Sequence, residues 1–168
     1  MAEKYKVAVV TVSDKGSAGQ RTDESGPLIS SMMEEWGRAQ VVQMDIIPDE
    51  LEIIKNTLVE LCDNKGVDLV LTTGGTGLSP RDVTPEATMA VADRNVPGIA
   101  EYMRAKSFEI TPKAMLSRAA SVMRGQTLII NLPGSPKAVK ENIGFILPAL
   151  DHGLEIMTGR GGECGNHK

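Results

Sequence analysis

The chain has few of the residues from which nucleic-acid-binding surfaces are built. Of its 168 residues, one is Trp, two are Tyr and two are Phe. Surfaces that bind single-stranded nucleic acid stack bases on aromatic rings, so this composition speaks against such a surface. The formal net charge of −4 is also opposite to the basic excess expected of a nucleic-acid-binding protein. The composition therefore predicts no nucleic-acid partner.

Cysteine and histidine are equally scarce. The two cysteines, Cys62 and Cys164, share no ligand spacing with each other or with His152 and His167, so the sequence offers no recognisable zinc site. No Ser-His-Asp or Cys-His catalytic arrangement is supported either, since neither histidine lies in a candidate loop. Cys62 falls in a helical pattern, which favours a small buried hydrophobe over a reactive thiol.

Long apolar runs are missing as well. The N-terminal apolar segment, Val7–Val12, is too short for a signal-peptide core or a membrane span. We therefore expect no membrane association and a cytoplasmic protein. The remaining composition, 41% hydrophobic and 24% charged, is ordinary for a globular domain. We predict a single domain over residues 1–158, followed by a flexible, glycine-rich C-terminal tail over residues 159–168.

Predicted strands alternate with predicted helices along the chain. Apolar, largely β-branched segments predict four strands, at Lys6–Val12, Val41–Ile47, Asp68–Thr73 and Thr127–Leu132. Helical patterns lie between and after them, at Gly26–Trp36, from Leu51 to Leu61, in broken form over Pro85–Arg124, and from Pro136 toward Leu150. This alternation predicts a three-layer α/β/α fold with a mainly parallel sheet.

The predicted topology also places the unusual residues. In a parallel sheet, ligands bind outside the carboxyl ends of the strands. The segments that follow the four predicted strands hold most of the glycines and charged side chains that lack an obvious structural role. These segments are Ser13–Ser25, Pro48–Asp49, Gly74–Asp82 and Pro133–Pro136. We therefore predict that the four loops form one site.

The third of these loops carries a distinctive glycine segment. Gly74, Gly75 and Gly77 lack Cβ atoms, which lets backbone amides approach a ligand closely. Thr84 is a predicted N-cap, with Pro85 at the first helical position. A strand, a glycine loop and a helix start in this order predict an anion site. The segment is neither a P-loop, because the chain contains no Gly-Lys pair, nor a dinucleotide fingerprint, because Pro80 occupies the third glycine position.

Two aspartates in these loops are candidates for phosphate chemistry. Position alone favours a helix cap for Asp49, in a capping box with Glu52. The case for Asp82 is stronger, because Thr84 already offers a cap; its alternative is an exposed ion pair with Arg81. Two carboxylates near a phosphate-sized group of amides predict Mg²⁺ held between protein and phosphates. Cations in the same loops, at Lys15, Arg21, Arg81 and Lys137, would form a basic rim that gathers an anionic ligand.

Several motifs, taken together and in order, resemble one known family. They are VSD at Val12–Asp14, DESGP at Asp23–Pro27, IPDE at Ile47–Glu50, TTGGTGLSPRDVTPEAT at Thr72–Thr88, PG at Pro97–Gly98, LSR at Leu116–Arg118 and NLPGSPKAV at Asn131–Val139. The chain thereby resembles the MogA/MoaB family of molybdenum-cofactor biosynthesis proteins. The resemblance implies a homotrimer that transfers AMP from Mg-ATP to the terminal phosphate of molybdopterin and releases pyrophosphate. It also implies a transient contact with a molybdenum insertase.

The resemblance carries roles to individual residues. Asp49 and Asp82 match the family's functional carboxylates, and we assign them to catalysis and to Mg²⁺. The predicted substrate- and nucleotide-binding residues are Ser13, Asp14, Asp23, Gly74, Gly75, Thr76, Gly77, Arg81, Ser117, Asn131, Pro133, Gly134 and Ser135. For the Ser117–Arg118 pair, binding to helix-end carbonyls is as compatible with the sequence as a ligand role. Two alternative functions stay open: molybdopterin binding without turnover, and a scaffold that uses the same fold to bind a partner protein.

Overall fold

A six-stranded sheet forms the centre of the protein. The computed structural model describes residues 2–161, and its strands lie in the order β2-β1-β3-β6-β5-β4. The first, second, third and sixth strands run parallel, whereas β5 is antiparallel to β6 and β4 is antiparallel to β5. The prediction of a mainly parallel sheet is confirmed. The bounds are β1 Tyr5–Val12, β2 Ala39–Ile47, β3 Leu69–Thr73, β4 Arg94–Asn95, β5 Ser121–Arg124 and β6 Thr127–Leu132.

Within residues 2–161, six α-helices surround the sheet. They are α1 Asp14–Ser17, α2 Ser25–Trp36, α3 Leu51–Val59, α4 Thr84–Ala90, α5 Pro97–Phe108 and α6 Pro136–Thr158. A π-helical turn at Glu60–Asn64 extends α3, and a 3₁₀-helix at Pro112–Leu116 follows α5. In the part of the chain that the structure describes, no helix combines the length and apolar character that a membrane crossing needs.

The helices pack on both faces of the sheet because the central parallel strands β1, β3 and β6 are apolar on both sides. In β1, Val9 belongs to a buried cluster with side chains of α2, α5 and α6, including Ile29 and Ile143. The next residue, Val10, belongs to a second buried cluster with side chains of α3 and α4, including Ile54. Successive strand side chains point to opposite faces, so β1, β3 and β6 each contribute to both clusters. The three-layer α/β/α prediction is confirmed.

The structure differs from the predicted elements mainly beyond the third strand. The region 85–124, predicted as a broken helix, also contains β4 and β5, which have two and four residues. Strands this short do not establish a period of two in the sequence. The last helix continues past Leu150 to Thr158 despite Pro148 in its interior. This helix ends at residue 158, where the sequence predicts the end of the domain; the domain boundary itself stays a prediction. Residues 162–168 of the predicted tail, Cys164 included, lie outside the described residues.

Side-chain caps form at the start of some helices, but neither of the two caps predicted from the sequence, at Thr84 and Asp49, is among them. Ser135 caps α6, because its Oγ accepts a hydrogen bond from the backbone N–H of Ala138 at 3.3 Å. Thr111 likewise caps the 3₁₀-helix. The prediction for Thr84 is wrong, since α4 begins at Thr84 itself and Val83 occupies the N-cap. The capping box at Asp49 is also wrong: α3 begins at Leu51 without a side-chain cap, and Asp49 is free for another role.

The Cys62 side chain is half-buried in the π-helical turn, as the favoured interpretation expects. Burial raises the pKa of its thiol to about 11. Only about one molecule in 10³ would carry the reactive thiolate at pH 8, roughly two orders of magnitude less than for a free cysteine of pKa about 8.5. We expect iodoacetamide to modify Cys62 about 10²-fold more slowly than free cysteine at pH 8. A Cys164→Ser variant retains Cys62 as its single cysteine, so mass spectrometry of this variant measures the rate of modification at Cys62. A rate near that of free cysteine would contradict the prediction.

Candidate functional site

The four predicted loops meet at the carboxyl edge of the sheet, as the topology requires. Ser25 Oγ donates a hydrogen bond to the Gly134 carbonyl at 2.8 Å, which ties the loop after β1 to the loop after β6. Thr73 Oγ1 donates to the Pro133 carbonyl at 2.7 Å, which ties β3 to the same loop. The loops enclose a polar cleft of about 570 Å³. Predicted site residues that line this cleft are Ser13, Asp23, Asp49, Gly74, Gly75, Asp82, Gly134 and Ser135.

The position of the cleft follows from the order of the strands. The strands β1 and β3 are neighbours in the sheet, but the helices that follow them pack on opposite faces: α2 lies on one face and α4 on the other. The chain therefore diverges between the carboxyl ends of these two strands and leaves a crevice there. Both Val12, at the end of β1, and Thr73, at the end of β3, line the cleft.

Asp14 and Asp49 join the first two loops reciprocally. The Asp14 N–H donates to Asp49 Oδ2 at 2.8 Å, and the Asp49 N–H donates to Asp14 Oδ1 at 3.0 Å. Arg81 adds a bidentate pair to Asp14, with Nε and Nη2 each 2.9 Å from a carboxylate oxygen. The Arg81 guanidinium, followed by the Asp49 amide, lowers the pKa of Asp14. Arg81 thus pairs with Asp14 and not with the adjacent Asp82, so the ion-pair alternative for Asp82 is not the one that forms.

The carboxylates of Asp49 and Asp82 lie directly over the glycine segment. A Cβ atom added to Gly75 would be 3.2 Å from Asp49 Oδ1, and one added to Gly77 would be 2.9 Å from Asp82 Oδ2. Burial raises the pKa of Asp49; the hydrogen bond from the Asp14 amide opposes this shift, and the negative charges of Asp14 and Asp82 add to it. A cation between Asp49 and Asp82 would relieve that repulsion.

The carboxylates of the cleft suit a metal ion that binds to the protein and to a ligand at the same time. Residues 2–161 contain no group of three or more His, Cys, Asp or Glu side chains arranged to hold a metal ion by themselves. Mg²⁺ commonly uses one or two protein carboxylates and takes its other ligands from phosphates and water. Asp49 and Asp82 therefore fit Mg²⁺ bound together with a polyphosphate.

Five of the remaining predicted residues lie at a second cavity, whereas Asp14 and Arg81 line neither this cavity nor the polar cleft. This cavity has a volume of about 280 Å³ and adjoins the later part of the glycine segment. Its lining is largely apolar and includes Met103 and Leu116. Predicted site residues that line it are Thr76, Gly77, Ser117, Asn131 and Pro133. The predicted site is thus divided into a polar cleft and an apolar cavity.

The Asn131 side chain, buried in the core, hydrogen-bonds to the elements around the site. It is fully buried; its Oδ1 accepts from the Ala120 N–H at 3.0 Å, and its Nδ2 donates to Thr72 Oγ1 at 3.0 Å and Thr88 Oγ1 at 2.9 Å. These bonds connect β6 with β3 and α4. Asn131 therefore shapes the site by fixing the elements around it, because both of its side-chain donors are already used within the protein.

Asp23 and Ser13 organise the loop after β1. Asp23 accepts hydrogen bonds from the Thr11 hydroxyl at 2.8 Å and from the Gly26 N–H at 3.1 Å. Ser13 caps the short helix α1 by accepting from the Gly16 N–H at 2.9 Å. Of the predicted basic rim, Arg21 lines the polar cleft, whereas Lys137 points into solvent with 83% of its side chain exposed.

Sequence reasoning did not select three residues that the structure places at the site. Ser25 and Thr73 line the cleft and tie its loops together; Ser25 lies in the DESGP motif and Thr73 in the TTGGTGLSPRDVTPEAT motif. Arg118, for which carbonyl binding and a ligand role were both open, donates to backbone carbonyls of the glycine segment. The hydroxyl of Thr84 is buried and has no hydrogen-bond partner among the described residues.

Comparison with known proteins shows which family this chain resembles. The family model described as "Probable molybdopterin binding domain" matches residues 8–152. A molybdopterin adenylyltransferase of Haemophilus influenzae is 48% identical over 147 residues, which cover 85% of this chain and 73% of that protein. The corresponding protein of Escherichia coli K12 is 46% identical over 143 residues, covering 82% and 71%.

Solved structures of molybdenum- and tungsten-cofactor biosynthesis proteins have the same fold as this chain. The molybdopterin biosynthesis enzyme MoaB of Thermus thermophilus superposes with a TM-score of 0.84 at 46% identity, covering 92% of this chain and 97% of that one. The tungsten cofactor synthesizing protein MoaB of Pyrococcus furiosus has a TM-score of 0.84 at 36% identity, covering 94% and 99%. Since the matches span most of the sequence, the chain belongs to the molybdopterin-binding-domain family, and the predicted resemblance to MogA and MoaB proteins is confirmed.

Proposed function

We propose that this protein is a molybdopterin adenylyltransferase of molybdenum-cofactor biosynthesis. An oxygen of the terminal phosphate of molybdopterin attacks the α-phosphorus of ATP, and the bond from that phosphorus to the β-phosphate bridge breaks. The products are adenylylated molybdopterin and pyrophosphate. The observation that carries the proposal is the pair of carboxylates, Asp49 and Asp82, held over a glycine segment at the carboxyl edge of the sheet. The names of relatives more than 45% identical support it.

The residues of the polar cleft suit the positioning of phosphates. Gly74 and Gly75 line this cleft and have positive φ values of 96° and 69°, a backbone conformation that glycine adopts without a steric penalty. Arg21 offers a positive charge in the same cleft. Mg²⁺ held by Asp49 and Asp82, when bound, would offset the negative charge of the triphosphate. Transfer of this kind needs positioning and charge stabilisation and no covalent protein intermediate.

The apolar cavity suits the remainder of a substrate. Its lining by Met103, Leu116 and Pro133 would accommodate a planar ring better than a polyphosphate. We propose that phosphates occupy the polar cleft and that a ring system of one substrate occupies this cavity. The glycine segment, which contributes Gly74 and Gly75 to the cleft and Thr76 and Gly77 to the cavity, would then lie between the two parts.

The decisive assay mixes the purified protein with molybdopterin and Mg-ATP and follows pyrophosphate and adenylylated molybdopterin. Product over many turnovers is expected. Tight molybdopterin binding without product would instead support the binding-only alternative. A protein that binds neither substrate but retains one stoichiometric protein partner would support the alternative function as a scaffold.

The requirement for Mg²⁺ is tested in the same assay. Omitting Mg²⁺ should abolish turnover, and full activity in EDTA would contradict the requirement for the metal. We place this reaction in the cytoplasm, as the sequence predicts.

We also propose a homotrimer, as the family resemblance implies. The edge strand β2 exposes Val42, Met44 and Ile46, each more than 40% accessible, as an apolar strip along one face. A second copy of the chain would cover such a strip. Light scattering should give about three times 18.0 kDa, and Met44→Glu should shift the mass toward one chain. A mass of one chain for the unaltered protein would contradict the proposal. Transient contact with a molybdenum insertase stays a prediction.

A further inference from the structure

Arg118 makes an unusual set of contacts with the glycine segment. Its backbone N–H donates to the Thr76 carbonyl at 2.9 Å. In its guanidinium group, Nε donates to the Gly77 carbonyl at 2.8 Å and Nη2 donates to the Asp82 carbonyl at 2.7 Å. The third nitrogen, Nη1, forms an ion pair with Glu86 in α4. One residue thus reaches both sides of the turn that contains Arg81.

The glycine segment depends on such outside contacts for its shape. Between the end of β3 at Thr73 and the start of α4 at Thr84, the chain has no regular secondary structure. Its carbonyl groups therefore need partners other than a helix or a sheet ladder. The planar guanidinium of Arg118 fixes the Gly77 and Asp82 carbonyls relative to each other, since its donors have a rigid geometry.

This contact reaches the candidate catalytic carboxylate directly. Asp82 Oδ2 lies so close to Gly77 that an added Cβ would be 2.9 Å away, and it accepts from the Ser79 N–H at 3.1 Å. The Asp82 carboxylate therefore rests on the same backbone that Arg118 holds. If the Gly77 and Asp82 carbonyls separated, the carboxylate would lose its present position over the segment.

We propose that Arg118 is a positioning residue for Asp82. It holds the glycine segment so that the Asp82 carboxylate faces the polar cleft, and Glu86 fixes the guanidinium from α4. Arg118 acts through these protein contacts and not by touching the reacting phosphates. The proposal rests on the adenylyl transfer proposed above, in which Asp82 stabilises charge at the transition state. Its structural part, the ordering of the segment 74–83, does not depend on that function.

Steady-state kinetics test the catalytic part. We expect Arg118→Ala to lower kcat by about 10²-fold, the size of effect that a displacement of about 1 Å produces, with the KM for ATP changed less than about threefold. Arg118→Lys should not restore kcat, because a single ammonium cannot replace the planar arrangement of donors. Arg124→Ala is the matched control: Arg124 also binds a backbone carbonyl, that of Val91, and a carboxylate, that of Asp63, but it does not line the cleft. Its kcat should stay within about twofold of the unaltered protein.

A double variant separates positioning from an independent contribution. If Arg118 acts through Asp82, adding Arg118→Ala to Asp82→Asn should lower kcat by less than about threefold further. If the two losses multiply, Arg118 has a separate role and the proposal is overturned. A kcat for Arg118→Ala within twofold of the unaltered protein would overturn it as well.

Hydrogen exchange tests the structural part without an activity assay. The Asp82 amide donates to the Ser79 carbonyl, and the Thr84 amide donates to the Gly75 carbonyl. In Arg118→Ala, these two amides should exchange at least about tenfold faster, while the core amides of β1 and β3 keep their protection. Unchanged exchange at these two amides would overturn the proposal. If the unaltered protein forms no adenylylated product, the proposed function fails, and the exchange result still decides whether Arg118 orders the segment.

Discussion

Asp82→Asn is expected to lower the rate of adenylylated molybdopterin formation by more than about 10²-fold while the protein stays folded. The change removes one negative charge and keeps the shape of the side chain. An Asn oxygen can still accept the hydrogen bond that the Ser79 N–H donates to Asp82 Oδ2. Removing one preorganised electrostatic contact at the transition state typically costs about 10²–10³-fold in kcat. The loss should therefore appear in kcat and not in the unfolding transition.

The measurement compares kcat at saturating Mg-ATP and molybdopterin for the unaltered protein and the variant. Asp63→Asn is a suitable control, because Asp63 also accepts hydrogen bonds but pairs with Arg124 and does not line the cleft. Circular dichroism and a melting curve establish that both variants fold. Turnover of Asp82→Asn within twofold of the unaltered protein would remove Asp82 from the mechanism.

Gly74→Ala is expected to reduce the free energy of unfolding by about 2–5 kcal/mol. Gly74 has a φ of +96°, and a Cβ atom at this position would lie 2.4 Å from the backbone carbonyl oxygen of Val12. The left-handed conformation alone costs an L-residue about 1–2 kcal/mol, and an overpacked contact typically adds about 1–3 kcal/mol. The Val12 carbonyl has little freedom to move, because Val12 belongs to β1, which is paired with β2 on one side and with β3 on the other.

Urea denaturation of Gly74→Ala and Gly37→Ala separates the two contributions. Gly37 also has a positive φ, of +78°, but no atom lies within 4 Å of a Cβ added there. Gly37→Ala should therefore show only the conformational cost of about 1–2 kcal/mol. An equal decrease in the free energy of unfolding for the two variants would show that the contact with Val12 contributes nothing.

Much of the fold was predictable because its central strands are long and apolar on both faces. Thr127–Leu132 was predicted with the bounds that the structure has, and the other three parallel strands differ by at most two residues at either end. The meeting of four loops followed from parallel strands alone, since their carboxyl ends share one edge. Strand β4 could not be predicted in this way, because its two residues are exposed and its pairing depends on β5.

The internal bonds of the site were less predictable because their partners are distant in sequence. Asp49 was interpreted as a helix cap from its neighbours, yet it binds the amide of Asp14, 35 residues away. Arg81 stands beside Asp82 in the sequence but pairs with Asp14, 67 residues away. Patterns of local propensity contain no information about such contacts. They place residues near a site, and only the tertiary structure decides which side chains remain available to a ligand.

The reciprocal bonds between Asp14 and Asp49 also limit how this site can change during evolution. Each carboxylate holds the backbone amide of the other residue. A replacement at either position without a side-chain acceptor would leave the partner's amide without its bond and release Arg81 or the start of the second loop. The two positions are therefore not independent, and a viable path between different residue pairs would have to pass through intermediates that retain an acceptor at both.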